Sequence, residues 1–188
     1  MKKRNILLAT ALLSVGSVFA QTLPDGMTAL LPSGVTPNIT QDKKFIMQKN
    51  LTVAGSPEKG YYAFFSASDS DHGEELWVTD GTPEGTRMVK DINPGVATSD
   101  VNYLTRFNDK VVFSADNGED GYQLWISDGT EEGTRMVKKI HEFDSSNPIG
   151  FCQMNETQFI FFASDYESEN FSSEGAQKWL YVSDGTEE

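Results

Sequence analysis

From Phe45 onward the apolar residues come in short runs cut by Gly, Asp and Asn. No window of eleven residues carries a 3.6-residue period, so the pattern predicts strands and no helices. The middle of the chain divides into four of them. Val101 to Phe107 is the first, and Asn108-Asp109 makes a turn. Lys110 to Ala115 is the second, followed by the polar loop "DNGEDG". Tyr122 to Ser127 is the third, the loop "DGTEEG" follows, and Thr134 to Ile140 is the fourth. Strands at this spacing with turn signals between them read as antiparallel sheet.

The same tetrad is written on both sides. Phe45–Ala54, Tyr61–Ala67, Glu75–Thr79 and Thr86–Ile92 form an earlier copy. Gly150–Met154, Gln158–Ala163 and Lys178–Ser183 form three strands of a later one. Asp80 and Asp128 are 48 residues apart, and Asp128 and Asp184 are 56 apart because the later copy has a longer loop. Four antiparallel strands at this period match a propeller blade. The runs "YYAFF", "VVF" and "FIFF" are apolar without alternation, as strands covered on both faces are. The expected fold is therefore all-β, an incomplete propeller-like array of four-stranded antiparallel blades. The copies span about 45–95, 96–143 and 144–188 within a repeat domain 45–188. The last copy stops inside its turn at Glu188, and an N-terminal fragment of a longer protein is expected. A short β-solenoid or a partial ring closed by oligomerisation is the alternative.

The most regular text is "LWVTDGTPEGTRMVKDI" from Leu76, repeated as "LWISDGTEEGTRMVKKI" from Leu124 and begun again as "LYVSDGTEE" from Leu180. Its residues read as scaffold. Trp77 and Trp125 should fill the space between blades, with Tyr181 in the third copy and Trp179 retaining an aromatic on that face. Asp80, Asp128 and Asp184 should accept backbone N–H groups within the turn, and Gly81, Gly129 and Gly185 should supply positive φ. Thr82, Thr130 and Thr86 add hydroxyls, and Gly85 and Gly133 are expected to close the loop in a left-handed conformation. Groups that recur in every copy belong to the geometry of the repeat, so no catalytic residue is expected among them.

At these residues the chain resembles the ELW-x-x-DGT repeat of bacterial secreted proteins. Glu75-Leu76-Trp77, Asp80-Gly81-Thr82 and "KDINPG" from Lys90 to Gly95 carry the resemblance, which covers about 57–188. The second copy departs at Gln123 and Lys139, and the third at "WLYVSDGT". The resemblance implies an extracellular or surface-associated repeat protein, propeller-like, with no chemistry assigned to the repeat.

The first twenty residues change the picture of location. Lys2, Lys3 and Arg4 precede an apolar stretch, Ile6 to Phe19, too short to span a bilayer, and small residues end at Ala20. This is a secretory signal expected to be cut near Ala20-Gln21, which places the chain at the cell exterior or in the periplasm. Residues 21–44 read as a leader or linker. No anchor is expected from Cys152, the one cysteine, which is read as a small buried hydrophobe. The formal net charge of the whole chain is −13. Without the three signal cations, 12 Lys and Arg face 28 Asp and Glu, a net charge of −16. That surface repels phosphate backbones and anionic lipid, so nucleic acid is not expected as a partner. A protein or glycan outside the cytoplasm is.

Candidate chemistry sits in the acidic loops. Asp69, Asp71 and Glu75 surround Gly73, and Asp116, Glu119 and Asp120 surround Gly118. Ca²⁺ takes six to eight oxygens and such loops offer three or four, although neither contains a full calcium loop. Only His72 and His141 are available for zinc or base chemistry. Sialidase-like hydrolysis needs an arginine cluster, and the mature chain has Arg87, Arg106 and Arg135 alone. Asn38, Asn50, Asn155 and Asn170 lie in sequons, which matter only where a host glycosylates them. The expected function is a binding or display scaffold without catalysis. A calcium-stabilised adhesion module and a fragment of a glycan-processing enzyme are the alternatives.

Overall fold

A computed structural model describes residues 30–37, 51–141, 145–164 and 178–187. The expected signal, most of the leader and residues 45–50 of the first strand lie outside them. Twelve strands and no helix occur in the described residues. No helix there is long and apolar enough to cross a membrane.

The strands form three antiparallel sheets. Sheet 1 contains β1 (Thr36–Pro37), β2 (Leu51–Ser56), β3 (Gly60–Ser68), β4 (Glu75–Thr79) and β5 (Arg87–Lys90). Sheet 2 contains β6 (Asn102–Phe107), β7 (Lys110–Asp116), β8 (Tyr122–Ser127) and β9 (Arg135–Lys138) in that order. Sheet 3 contains β10 (Ile149–Gln153), β11 (Phe159–Ser164) and β12 (Lys178–Ser183). The third strand of each copy has the bounds its sequence predicts. β1 was not expected: it extends the β2 edge of sheet 1 at Ser68 and Ala67, and its Pro37 fits an edge strand.

Alternation along the strands sends each sheet's side chains to two sides, and two apolar cores result. Between sheets 1 and 2 lie Phe64, Leu76 and Val78 from one side and Val111, Phe113 and Trp125 from the other. Between sheets 2 and 3 lie Val112, Leu124 and Ile126 against Phe151, Phe159 and Phe161. The sheets approach each other most through their first strands, β2 against β6 and β6 against β10.

Several expectations need correction. "VVF" is buried throughout, but Tyr61 and Tyr62 of "YYAFF" and Phe162 of "FIFF" are exposed. Tyr61 and Tyr62 lie on opposite faces of sheet 1, beyond the residues that pair with β4. The face of sheet 1 away from sheet 2 is exposed at Leu51, Val53 and Tyr61 but buried at Ala67, Glu75, Trp77 and Thr79. The face of sheet 3 away from sheet 2 is exposed at Phe162, Leu180 and Val182. Cys152 is exposed for the same reason: Phe151 points into the core, so its neighbour points to the uncovered side of sheet 3. Trp125 lies between sheets, but Trp77 lies on the side of sheet 1 away from sheet 2, buried beside Phe65 and Met88. Tyr181 stacks on Phe161 at 5.6 Å, while Trp179 is exposed.

Candidate functional site

The DGT corners repeat atom for atom. Asp80 Oδ1 accepts from Thr82 N at 2.9 Å and from its hydroxyl at 2.6 Å. Asp128 does the same with Thr130, and Asp184 with Thr186. These donors hold Asp80 and Asp184 below the usual carboxylate range, the threonine hydroxyl being the larger cause. Thr82 Oγ1 then accepts from Gly85 N, and Thr130 Oγ1 from Gly133 N. The hydroxyl of Thr86 donates to Thr82 O, as that of Thr134 does to Thr130 O. Gly81, Gly129 and Gly185 have φ of 93°, 89° and 82°, as expected. Gly85 and Gly133 are not left-handed, and the reason for glycine there is space. A Cβ on Gly85 would stand 2.1 Å from Asp80 Oδ1, and on Gly133 2.0 Å from Asp128 Oδ1.

The second and third corners also join two sheets. Arg87 Nη2 donates to Gly129 O and Arg135 Nη2 to Gly185 O, both at 2.7 Å. A Cβ on Gly129 would stand 3.4 Å from Phe64 Cζ, and on Gly185 2.9 Å from Ile126 Cδ1. The corner of one copy therefore seats on the core face of the copy before it. The sequence reading missed these arginines as structural residues. Their signal was recurrence: "GTR" follows DGT in both complete copies.

At the other end of the sheets a second joint recurs. Glu75 is fully buried and its carboxylate accepts from Ile92 N at 2.9 Å and Asn93 N at 3.2 Å. Burial outweighs these donors and pushes Glu75 up to about 7. In the next copy Gln123 Oε1 accepts from Ile140 N at 3.2 Å and from Ser146 Oγ at 2.8 Å. The amides of Ile92 and Ile140 are thus spent on side chains, which is why β5 and β9 stop two residues short of their expected ends. Ser99 and Ser146 begin the following copies and donate back to Glu74 O and Tyr122 O, each at 2.9 Å through the backbone.

The six acidic-loop residues have separate local tasks. Glu75 is the buried joint just described. Asp69 accepts from Asp71 N, His72 N and the His72 ring, and the Asp71 amide is the largest cause of its lowered pKa. Asp71 accepts only from Ser70 Oγ, at 3.4 Å. Asp116 accepts from Gly118 N at 2.7 Å. Asp120 pairs with Lys139 at 2.6 Å, which lowers its pKa most, and with Asn117. Glu119 offers its amide to Asn117. Among the described residues no three His, Cys, Asp or Glu come together as they would around a metal ion.

Residues that do not recur converge elsewhere. A cleft of about 520 Å³ between sheets 2 and 3 is lined by Asp100, Tyr103, Tyr122, Asn147, Ser164 and Lys178, among others. Tyr122 Oη donates to Asp100 Oδ2 at 2.6 Å, and that bond, then burial, raises the phenol's pKa. Lys178 Nζ donates to Asn147 O at 2.8 Å, and desolvation pulls its pKa down. Ser164 Oγ is buried with no hydrogen-bond partner. Asp100, Asn147 and Tyr103 all have positive φ, 46°, 47° and 60°. The first two are equivalent positions, each two residues before the first strand of its sheet, so their conformation belongs to the repeat. Tyr103 occupies the position where sheet 3 has Gly150, with φ of 69°. A tyrosine held there costs on the order of 1–3 kcal/mol. No family model, curated protein or solved structure matches the chain.

Proposed function

We propose that the chain is a secreted or surface-exposed repeat scaffold of the ELW-x-x-DGT type, a propeller-like fan of sheets that serves as a binding and display module. The fan reading is supported by the closest approach of the sheets along their first strands. The binding reading rests on a division of labour. The DGT, Arg and Glu/Gln positions are consumed in joints within and between sheets. The cleft between sheets 2 and 3 instead gathers a strained tyrosine, a buried hydroxyl without a partner and a Tyr–Asp pair. No catalytic role is assigned to any of them.

The chemistry of the cleft suits a small neutral ligand rich in hydroxyls, as a glycan end is. Tyr103 offers an aromatic face, Asp100 a carboxylate acceptor, and Asn147 an amide. Saturation-transfer NMR against a panel of neutral mono- and disaccharides tests this. Transfer is expected for the full chain and is expected to vanish in Tyr103→Gly, which removes the ring and suits the backbone. No transfer from any sugar, or unchanged transfer in the variant, refutes the reading.

A further inference from the structure

The cleft between sheets 2 and 3 holds two polar groups that the fold leaves unanswered. Tyr122 Oη occupies Asp100 Oδ2, and Asp100 Oδ1 accepts from nothing among the described residues. Ser164 is 3% exposed, and its hydroxyl lines the same cleft without a partner. The first group only accepts, and the second can donate. A polar group left unmet in a closed site is costly, so a ligand that meets both is favoured over one that meets neither.

The rest of the lining narrows what that ligand carries. Asp100 brings a negative charge and Lys178 a positive one, and Lys178 Nζ is tied to Asn147 O within the lining. An ammonium on the ligand gains at Asp100 and loses at Lys178, and a carboxylate does the reverse. A neutral dipole gains at both. Pro148 and Ile149 add an apolar wall to the cleft. Hydroxyls set against that wall lose water without gaining a partner.

We propose that the sugar taken by the cleft carries an acetamido group, as a 2-acetamido hexose does. This rests on the glycan reading given above and names the class of sugar. The amide N–H donates to Asp100 Oδ1, the carbonyl accepts from the Ser164 hydroxyl, and the methyl covers Pro148 and Ile149. The sugar ring itself lies on Tyr103. A plain hydroxyl can serve Asp100 and Ser164 through its single oxygen, but it brings nothing apolar for the wall.

NMR titration of the full chain tests it. N-acetylglucosamine and N-acetylgalactosamine are compared with glucose and galactose, and with glucosamine and glucuronate as charged counterparts. The better acetamido sugar is expected to bind about tenfold more tightly than its plain counterpart, as one buried methyl and one added hydrogen bond imply. Saturation transfer to its acetyl methyl should exceed transfer to its ring protons. Ser164→Ala should cut the preference about fivefold, with circular dichroism checking the fold. Three results overturn the proposal: plain sugars binding as tightly as acetamido sugars, a charged sugar binding more tightly than either, or a folded Ser164→Ala with the preference intact. In each of these the glycan reading stands, because a sugar still binds. Binding of none of the six overturns the proposal too, and the wider saccharide panel then decides the glycan reading by itself.

Discussion

The two joints inside the molecule share their polar fastenings and differ in their filling. Both have an arginine donating to the glycine carbonyl of the next corner at 2.7 Å, and both have a serine bound back to the preceding sheet. The first joint is packed mainly with aliphatic residues around Phe64, Phe113 and Trp125. The second is packed with Phe107, Phe151, Phe159 and Phe161, whose rings meet at 4.9–6.4 Å. The repeat thus fixes direction and spacing through a few directional bonds. Volume alone constrains what lies between, which is how interiors behave when size and polarity are kept.

Breaking the filling gives the largest effect. Phe113→Ala in the first core and Phe159→Ala in the second should each cost about 3–5 kcal/mol in chemical denaturation. Losses that differ by more than about 2 kcal/mol would mean that one joint carries the fold, against the equivalence drawn here.

The joints also differ by one charge, at Glu75 and Gln123. Glu75 titrates near 7 in the fold, above its ordinary value. Its folded form therefore favours the proton, and that stability is complete below about pH 4.5 and is lost as pH rises through 7. Between pH 5 and pH 8 the loss is about 1–3 kcal/mol. Glu75→Gln should abolish this part of the pH dependence, and Gln123→Glu should add a second such part. Urea midpoints at the two pH values measure both.

The arginine fastenings come next. Arg87→Met and Arg135→Met keep much of the stem, and each should cost about 1–2 kcal/mol through a lost charged hydrogen bond. Equal costs support equivalent joints. Asp80→Ala and Asp128→Ala, within single corners, should cost about 1 kcal/mol each. Millimolar calcium should leave the thermal midpoint in place, because the loop acids are engaged locally.

Eleven of the strands were legible in the chain because each is a local run between turn residues. The internal bonds of the corners were legible too, since Asp80 and Thr82 are two residues apart. What escaped was long-range. Arg87 meets its acceptor 42 residues on, and Arg135 meets its acceptor 50 residues on, after the longer loop. Recurrence was the one signal these arginines gave, and it says nothing of what they touch. Glu75 reads as a loop acid beside Asp69 and Asp71, and only the register of β3 with β4 turns it inward. Gly85 was assigned a conformation when it needed room for a carboxylate. The cleft was invisible because its lining comes from residues up to 78 positions apart, Asp100 and Lys178.

Sheet-on-sheet seating of the DGT corners is the claim from which the rest follows, and proton–proton nuclear Overhauser effects report it directly. The Cα protons of Gly129 should show contacts to the Phe64 ring, and those of Gly185 to the δ-methyl of Ile126. A folded chain that shows neither contact contradicts the account.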